Sequence, residues 1–137
     1  APLTSGEDPY RMDDGSLIVI VATDAPLLPH QLKRVAKRVS LGMARTGSIG
    51  GNGSGDIFLA FSTANPQATQ PNPKGIAELQ ALANEKIDPV FAATVFATEE
   101  AIINSMVAAE DMIGHEFSVK ALPHEEVKTI LKKYNRL

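Results

Sequence analysis

Residues 13–26, DDGSLIVIVATDAP, decide how the rest of the chain is read. Leu17 to Ala22 are six consecutive apolar residues, four of them β-branched. Such a run predicts a strand buried on both faces. Asp14-Gly15 reads as a turn before it, which leaves Ser16 at the strand's edge, behind the residue that tolerates any backbone angle. The two prolines of APLLPHQ break the run.

Working outward, HQLKRVAKRVSLGMARTG carries Leu32, Val35, Ala36, Val39 and Met43 at three- and four-residue steps. This is the pattern of one amphipathic helix, with Pro29 in its first turn, Arg45 near its end and Gly47 as terminator. SIGGNGSG follows, four glycines in eight residues, and then DIFLAFST, a second buried strand. ANPQATQPNPKG is a surface loop; IAELQALANEKI fits a helix by propensity and a strand by alternation. From Asp88 to Met112 a helix is predicted, with Asp88 as N-cap, Pro89 behind it and Gly114 beyond its end. Val95, Ala101, Ile102, Ser105, Met106 and Ala109 form its expected apolar face. LPHEEVKTILKKYNRL is a last amphipathic helix, acidic at its start and basic at its end. Strand–helix–strand followed by helices is an α/β or α+β layer structure. Two strands buried on both faces need neighbours, so the sheet is expected to be completed from outside this chain.

The 137 residues suit one domain or part of a larger one. Hydrophobic residues make up 44% and aromatics only 5%, so the core must be built from small aliphatic side chains. The net charge of −3 and the lack of a basic, aromatic platform argue against nucleic acid. Lys33, Arg34, Lys37 and Arg38 read as a solvated helix face. With no cysteine, disulfides, thiolate chemistry and cysteine-based zinc sites are excluded. His30, His115 and His124 fall in separate segments, so neither a metal site nor a cofactor is expected. Apolar runs are too short for a bilayer span, no membrane partner is expected, and no signal peptide is visible. Compartment stays open between cytoplasm and periplasm.

Two stretches could carry chemistry. SIGGNGSGDIF presents backbone N–H groups and lets a ligand approach, but it lacks the dinucleotide fingerprint and the phosphate-loop lysine. It also fits a simple turn, with Ser54 and Asp56 bonded to backbone. Ser16 has no histidine nearby to take its proton. Cleavage before Ser16 would supply a base instead, because a free α-amine titrates at about 7.7–8.0. Ordinary turn chemistry also accounts for Gly-Ser before a strand.

The strings ATDAPLLPHQL and GNGSGDIFLAFSTAN carry a resemblance, as do ATEEAIINSMVAAEDMIG and ALPHEEVKTILKKY further on. From about Gly15 to the C-terminus the chain resembles the β-subunit of the L-aminopeptidase/D-esterase (DmpA-like) family, which includes the β-peptidyl aminopeptidases. The resemblance implies an α+β fold, a four-layer α/β/β/α sandwich like that of the N-terminal-nucleophile hydrolases, completed by an α chain absent here. It implies self-cleavage at Gly15–Ser16, with residues 1–15 a tail before the cut and 16–137 the β-subunit half of the catalytic domain. Ser16 then matches the nucleophile, Ser54 a second catalytic serine, and Asp56 the acidic position that follows. Thr23, Asn52 and Gly53 are candidates to line the substrate site. The expected activity is that of a serine aminopeptidase or amidase acting through an acyl-enzyme. The expected partners are the α chain of the same precursor, a tetramer of αβ units, and a small peptide or amide substrate.

One departure is that fifteen residues precede Ser16, where a mature β chain would start. The chain is then uncut, a precursor or inactive variant, or a joining of the α tail to β. Two rival readings remain: an amidase or acyltransferase of the same fold, such as a pantetheine-type hydrolase, and a non-catalytic binding domain.

Overall fold

The computed structural model describes residues 15–115 and 118–137. The expected tail therefore lies outside the described residues, apart from Gly15. The chain divides into two compact units, Ala1–Glu99 and Glu100–Leu137.

In the first unit, β1 (Ile18–Thr23) and β2 (Ile57–Ser62) pair in parallel, with Ile18 opposite Ile57 and Thr23 opposite Ser62. Parallel strands need a long crossover; here it holds α1 (Pro29–Ala36) and α2 (Val39–Arg45). The single helix expected from periodicity is thus interrupted. The backbone stays right-handed through Lys37 and Arg38, but the N–H groups of Arg38 and Leu41 reach back three residues, to Val35 and Arg38. A 3₁₀-type turn tightens the junction. α2 closes as the glycine predicts: Gly47, at φ +101°, donates to Ala44 O, and Ser48 N–H reaches Met43 O. That is a Schellman ending, which favours glycine at its left-handed position.

The strands are not buried on both faces. Val19, Val21, Phe58 and Ala60 turn inward, and Val21 and Ala60 pack on a core of Leu27, Val35, Ile87 and Phe91. Ile18, Ile20, Ile57 and Leu59 on the opposite side are each more than half exposed, and Phe61 nearly so. One sheet clad on one side is two layers of the expected four. A strand composition suited to two buried faces finds only one cover here.

Buried Gln31 ties α1 to the following loop: its Oε1 accepts from Leu28 N–H, and its Nε2 donates to Leu82 O at 2.8 Å. Residues 76–83 are neither helix nor strand, and a 3₁₀ turn, Asn84–Lys86, leads into α3 (Asp88–Ala108). The face α3 buries is Phe91, Thr94 and Thr98, rather than the aliphatic stripe expected. Both threonines return their hydroxyl to the carbonyl four residues back, Thr94 to Val90 and Thr98 to Thr94, so burial leaves them satisfied. The two arginines of the basic cluster are half-buried rather than fully solvated. Arg38 and Arg34 lie over the Phe91 ring, 3.8 and 5.1 Å from its centroid. By length and composition alone α3 could cross a membrane. Uninterrupted apolar runs, the basis of the sequence reading, do not register it. Glu99, paired with Arg45, and Glu100 stand within it, which disfavours a lipid setting.

α3 ends four residues before the expected Met112. In the second unit His124 Nε2 lies 3.0 Å from Val107 O at that end. A short antiparallel pair, β3 (Met112–Ile113) with β4 (Ser118–Val119), precedes α4 (His124–Lys133). Asp111 accepts from Lys120 Nζ at 2.6 Å and from Ala121 N–H at 2.8 Å. The Lys120 bond, then the Ala121 bond, hold the Asp111 carboxyl below its ordinary range; the same contact raises Lys120.

Candidate active site

Parallel pairing is what assembles the site. It sets the residues just before β1 beside those just before β2, although 39 positions separate them. Ile57 N–H donates to Leu17 O at 3.0 Å, the first rung of the ladder. One residue earlier the carboxylate of Asp56 replaces a backbone acceptor: its Oδ1 takes Leu17 N–H at 2.7 Å. One residue earlier again, Gly55 N–H donates to Ser16 Oγ at 3.1 Å. Ser16 itself is exposed, and Asp56 half-buried.

Gly55 approaches so closely that a Cβ there would stand 3.0 Å from Ser16 Oγ. Upstream, Ser54 N–H closes a turn onto Gly51 O at 3.0 Å, with Asn52 and Gly53 exposed at its tip. Ser54 and Asp56 line a cleft of about 470 Å³. Its walls come from α2 through Ser40, Met43 and Ala44, from the loop through Ser48 and Ile49, and from Phe58 of β2. The lining thus mixes the apolar side chains of Met43, Ala44, Ile49 and Phe58 with three serine hydroxyls and one carboxylate.

The sequence candidates divide. Gly15, Ser16, Ser54 and Asp56 converge on one end of the sheet. Asn52 and Gly53 sit on the turn beside it but do not line the cleft. Thr23 is not brought near: it ends β1, seven residues from Ser16, roughly 23 Å at strand rise. There its Oγ1 accepts from Ala25 N–H at 3.1 Å, ordering the turn through Asp24. Sequence reasoning missed Gly55 as a contact of Ser16, and the wall residues of α2. The signal for Gly55 was its place between Ser54 and Asp56; the α2 wall had none. Among the described residues no group of three metal-ligating side chains exists.

The chain is similar to known proteins over most of its length. A family model described as Peptidase family S58 matches residues 2–119. A β-peptidyl aminopeptidase, BapA, of Sphingosinicella microcystinivorans is 52% identical over 125 residues, 90% of this chain and 31% of the relative. The chain therefore spans about a third of that relative's length. Among solved structures, an L-aminopeptidase D-Ala-esterase/amidase from Ochrobactrum anthropi, described as a variant of the Ntn-hydrolase fold, superposes with TM-score 0.78. It is 47% identical, covering 88% of this chain and 34% of that one. A Burkholderia sp. β-aminopeptidase superposes at 0.75 with 39% identity, over 85% of this chain and 34% of that one.

Proposed function

The chain belongs to peptidase family S58 and has its N-terminal-nucleophile-hydrolase type of α+β fold, and from that premise we propose that it is the nucleophile-bearing part of a self-processing serine aminopeptidase. The observation that carries the reading is Ser16 Oγ, exposed and held at 3.1 Å by Gly55 N–H, with Asp56 fastened to the next residue's N–H.

Activation begins with Ser16 in an intact peptide. Oγ attacks the Gly15 carbonyl, the C–N bond breaks, and the hydroxyl proton ends on the departing nitrogen. Water then hydrolyses the resulting ester, leaving a Gly15 carboxylate and a Ser16 with a free amine. That amine is the base the sequence lacks, with a pKa suited to neutral pH. In turnover it takes the Oγ proton as Oγ attacks the carbonyl of a substrate's N-terminal residue. The tetrahedral intermediate collapses, the leaving amine accepts the proton, and water hydrolyses the acyl-enzyme by the same route. Ser54 and Asp56, on the cleft, flank this proton transfer. Asp56 also offers a negative partner for a substrate's free amine.

The domain reading follows: residues 1–15 precede the cut, and 16–137 carry the nucleophile. The remainder of the precursor supplies the partner. The row Ile18, Ile20, Ala22, Ile57, Leu59 and Phe61 supports this, because contiguous apolar surface of this kind marks an interaction face. Sheet-on-sheet packing is the arrangement that covers it. By likeness to the family, αβ units assemble further, into tetramers.

The test uses the complete protein and its Ser16→Ala variant. Wild type is expected to give two polypeptides on a denaturing gel, the smaller beginning at Ser16, and to release p-nitroaniline from L-, D- or β-aminoacyl anilides. The variant is expected to stay uncut and inactive. A cleaved or active Ser16→Ala protein overturns the role of Ser16. Wild type inert toward all three anilides overturns the aminopeptidase reading.

A further inference from the structure

Resting on the reading of Ser16 as nucleophile, we propose that the main-chain N–H of Gly55 is a catalytic donor to the reacting oxygen, and that residue 55 is glycine to let that oxygen in. Two observations carry it. The first is the 3.1 Å bond from Gly55 N–H to Ser16 Oγ. The two bonds that follow it along the strands, Leu17 N–H to Asp56 and Ile57 N–H to Leu17 O, hold both strands in place, so the donor is fixed before any substrate arrives. The second is spatial. Gly47, Gly50 and Gly75 have positive φ, a backbone reason for glycine, whereas Gly55 does not. What a side chain at 55 would meet is Ser16: Oγ at 3.0 Å and Cβ at 3.7 Å. Glycine here is explained by the space the serine needs rather than by the backbone angle.

The donor acts in two places. It occupies one Oγ lone pair, which fixes the side-chain rotamer and leaves the hydroxyl proton directed at another acceptor. It also stabilises Oγ whenever the oxygen gains negative character: as its proton leaves for the amine, and when the C–Oγ bond of the acyl-enzyme breaks and the electron pair returns to Oγ. Fixed backbone donors aimed at developing charge act in this way without reorganising. Self-cleavage has the same bond-breaking step, the ester between Gly15 and Oγ, so processing and turnover share the donor.

The experiment replaces one atom group in the complete protein. Glycolic acid at position 55 turns the Gly55 amide into an ester, exchanging the N–H for an oxygen that cannot donate and adding no side chain. The expected result is a fall in kcat of about tenfold to a hundredfold, the worth of a hydrogen bond to a charged group, with KM within twofold and self-cleavage slowed in parallel. A kcat within twofold of wild type overturns the proposal, as does a change confined to KM. Ser16→Ala in the same assay separates the premise from the inference: if it keeps activity the nucleophile assignment fails, and if it alone is inactive only the role of Gly55 fails. A second measurement needs no activity. Gly55→Ala is expected to lower Tm in the Ser16 protein and less in the Ser16→Ala protein, where Oγ is gone; equal losses in both overturn the close approach.

Discussion

Asp56→Asn separates the observed job of one carboxylate from the one proposed for it. In the structure Oδ1 accepts Leu17 N–H at 2.7 Å and so fixes the backbone that carries Ser16. Asparagine keeps an oxygen for that N–H and loses the charge. A charge-assisted bond contributes about 1.5–3 kcal/mol and a neutral one about 0.5–1.5, so the stability cost is on the order of 1 kcal/mol. In a chain of 137 residues that lowers Tm by about 4 °C. Asp56→Ala removes the acceptor altogether. Leu17 is only half-buried, so water reaches part of the freed N–H, and the cost stays near the lower end of about 1–3 kcal/mol. Activity should part company with stability. If the charge assists proton movement through the Ser16 amine, both variants lose about a hundredfold or more in kcat, a typical general acid–base contribution. The assay is steady-state anilide hydrolysis on pre-cleaved protein beside thermal melting. Asp56→Asn with kcat within threefold of wild type and a lowered Tm would show a clamp without a part in proton transfer. That result refutes the role assigned to its charge.

Gly42→Ala places a Cβ 2.6 Å from both Thr98 Cβ and Val95 O, neither of which can rotate away. Overpacking at about 1–3 kcal/mol outweighs the roughly 1 kcal/mol of helix propensity gained, so melting should show a lower Tm, not a higher one. Leu59→Asp sets a charge opposite Ile20 on the bare sheet face. Co-purification of the two cleaved polypeptides should drop, or the precursor should become insoluble, while Lys86→Glu, away from that face, changes neither. The Asp111–Lys120 pair gives a pH signature. Asp111 is lowered, so its contribution is full above its ordinary 3.8 and is lost as pH falls from there through the lower folded value. Lys120 is raised, so loss on the alkaline side comes above 10.5. Amide exchange at Ala121, whose N–H Asp111 holds, should show protection across that whole window relative to Asp111→Ala.

The strands were legible because Leu17–Ala22 is an apolar run with four β-branched residues and Ile57–Phe61 an apolar run with two aromatics, both bounded by turn residues. Their parallel pairing was not read in advance, although a helical crossover between two strands is what such pairing requires. Serine at the edge of β1 raised the right question, but turn chemistry answered it as well; only likeness to a family singled out Ser16, Ser54 and Asp56. Other features left no mark. Thr94 and Thr98 read as polar, yet their hydroxyls are satisfied within α3, so the buried face was misplaced. The break at Lys37–Arg38 has no proline or glycine to signal it. Gly55 looked like one more glycine in a turn, because its meaning depends on a side chain 39 residues away.

The uncovered sheet face constrains how such a protein can come into being. A greasy ribbon with two open edges invites aggregation the moment it is made. On the proposed reading its cover arrives on the same nascent chain, and severing that chain afterwards would fix the stoichiometry at one to one. It would also discard the tether: once melted, the two pieces would have to meet by diffusion, and heat inactivation would become a one-way event.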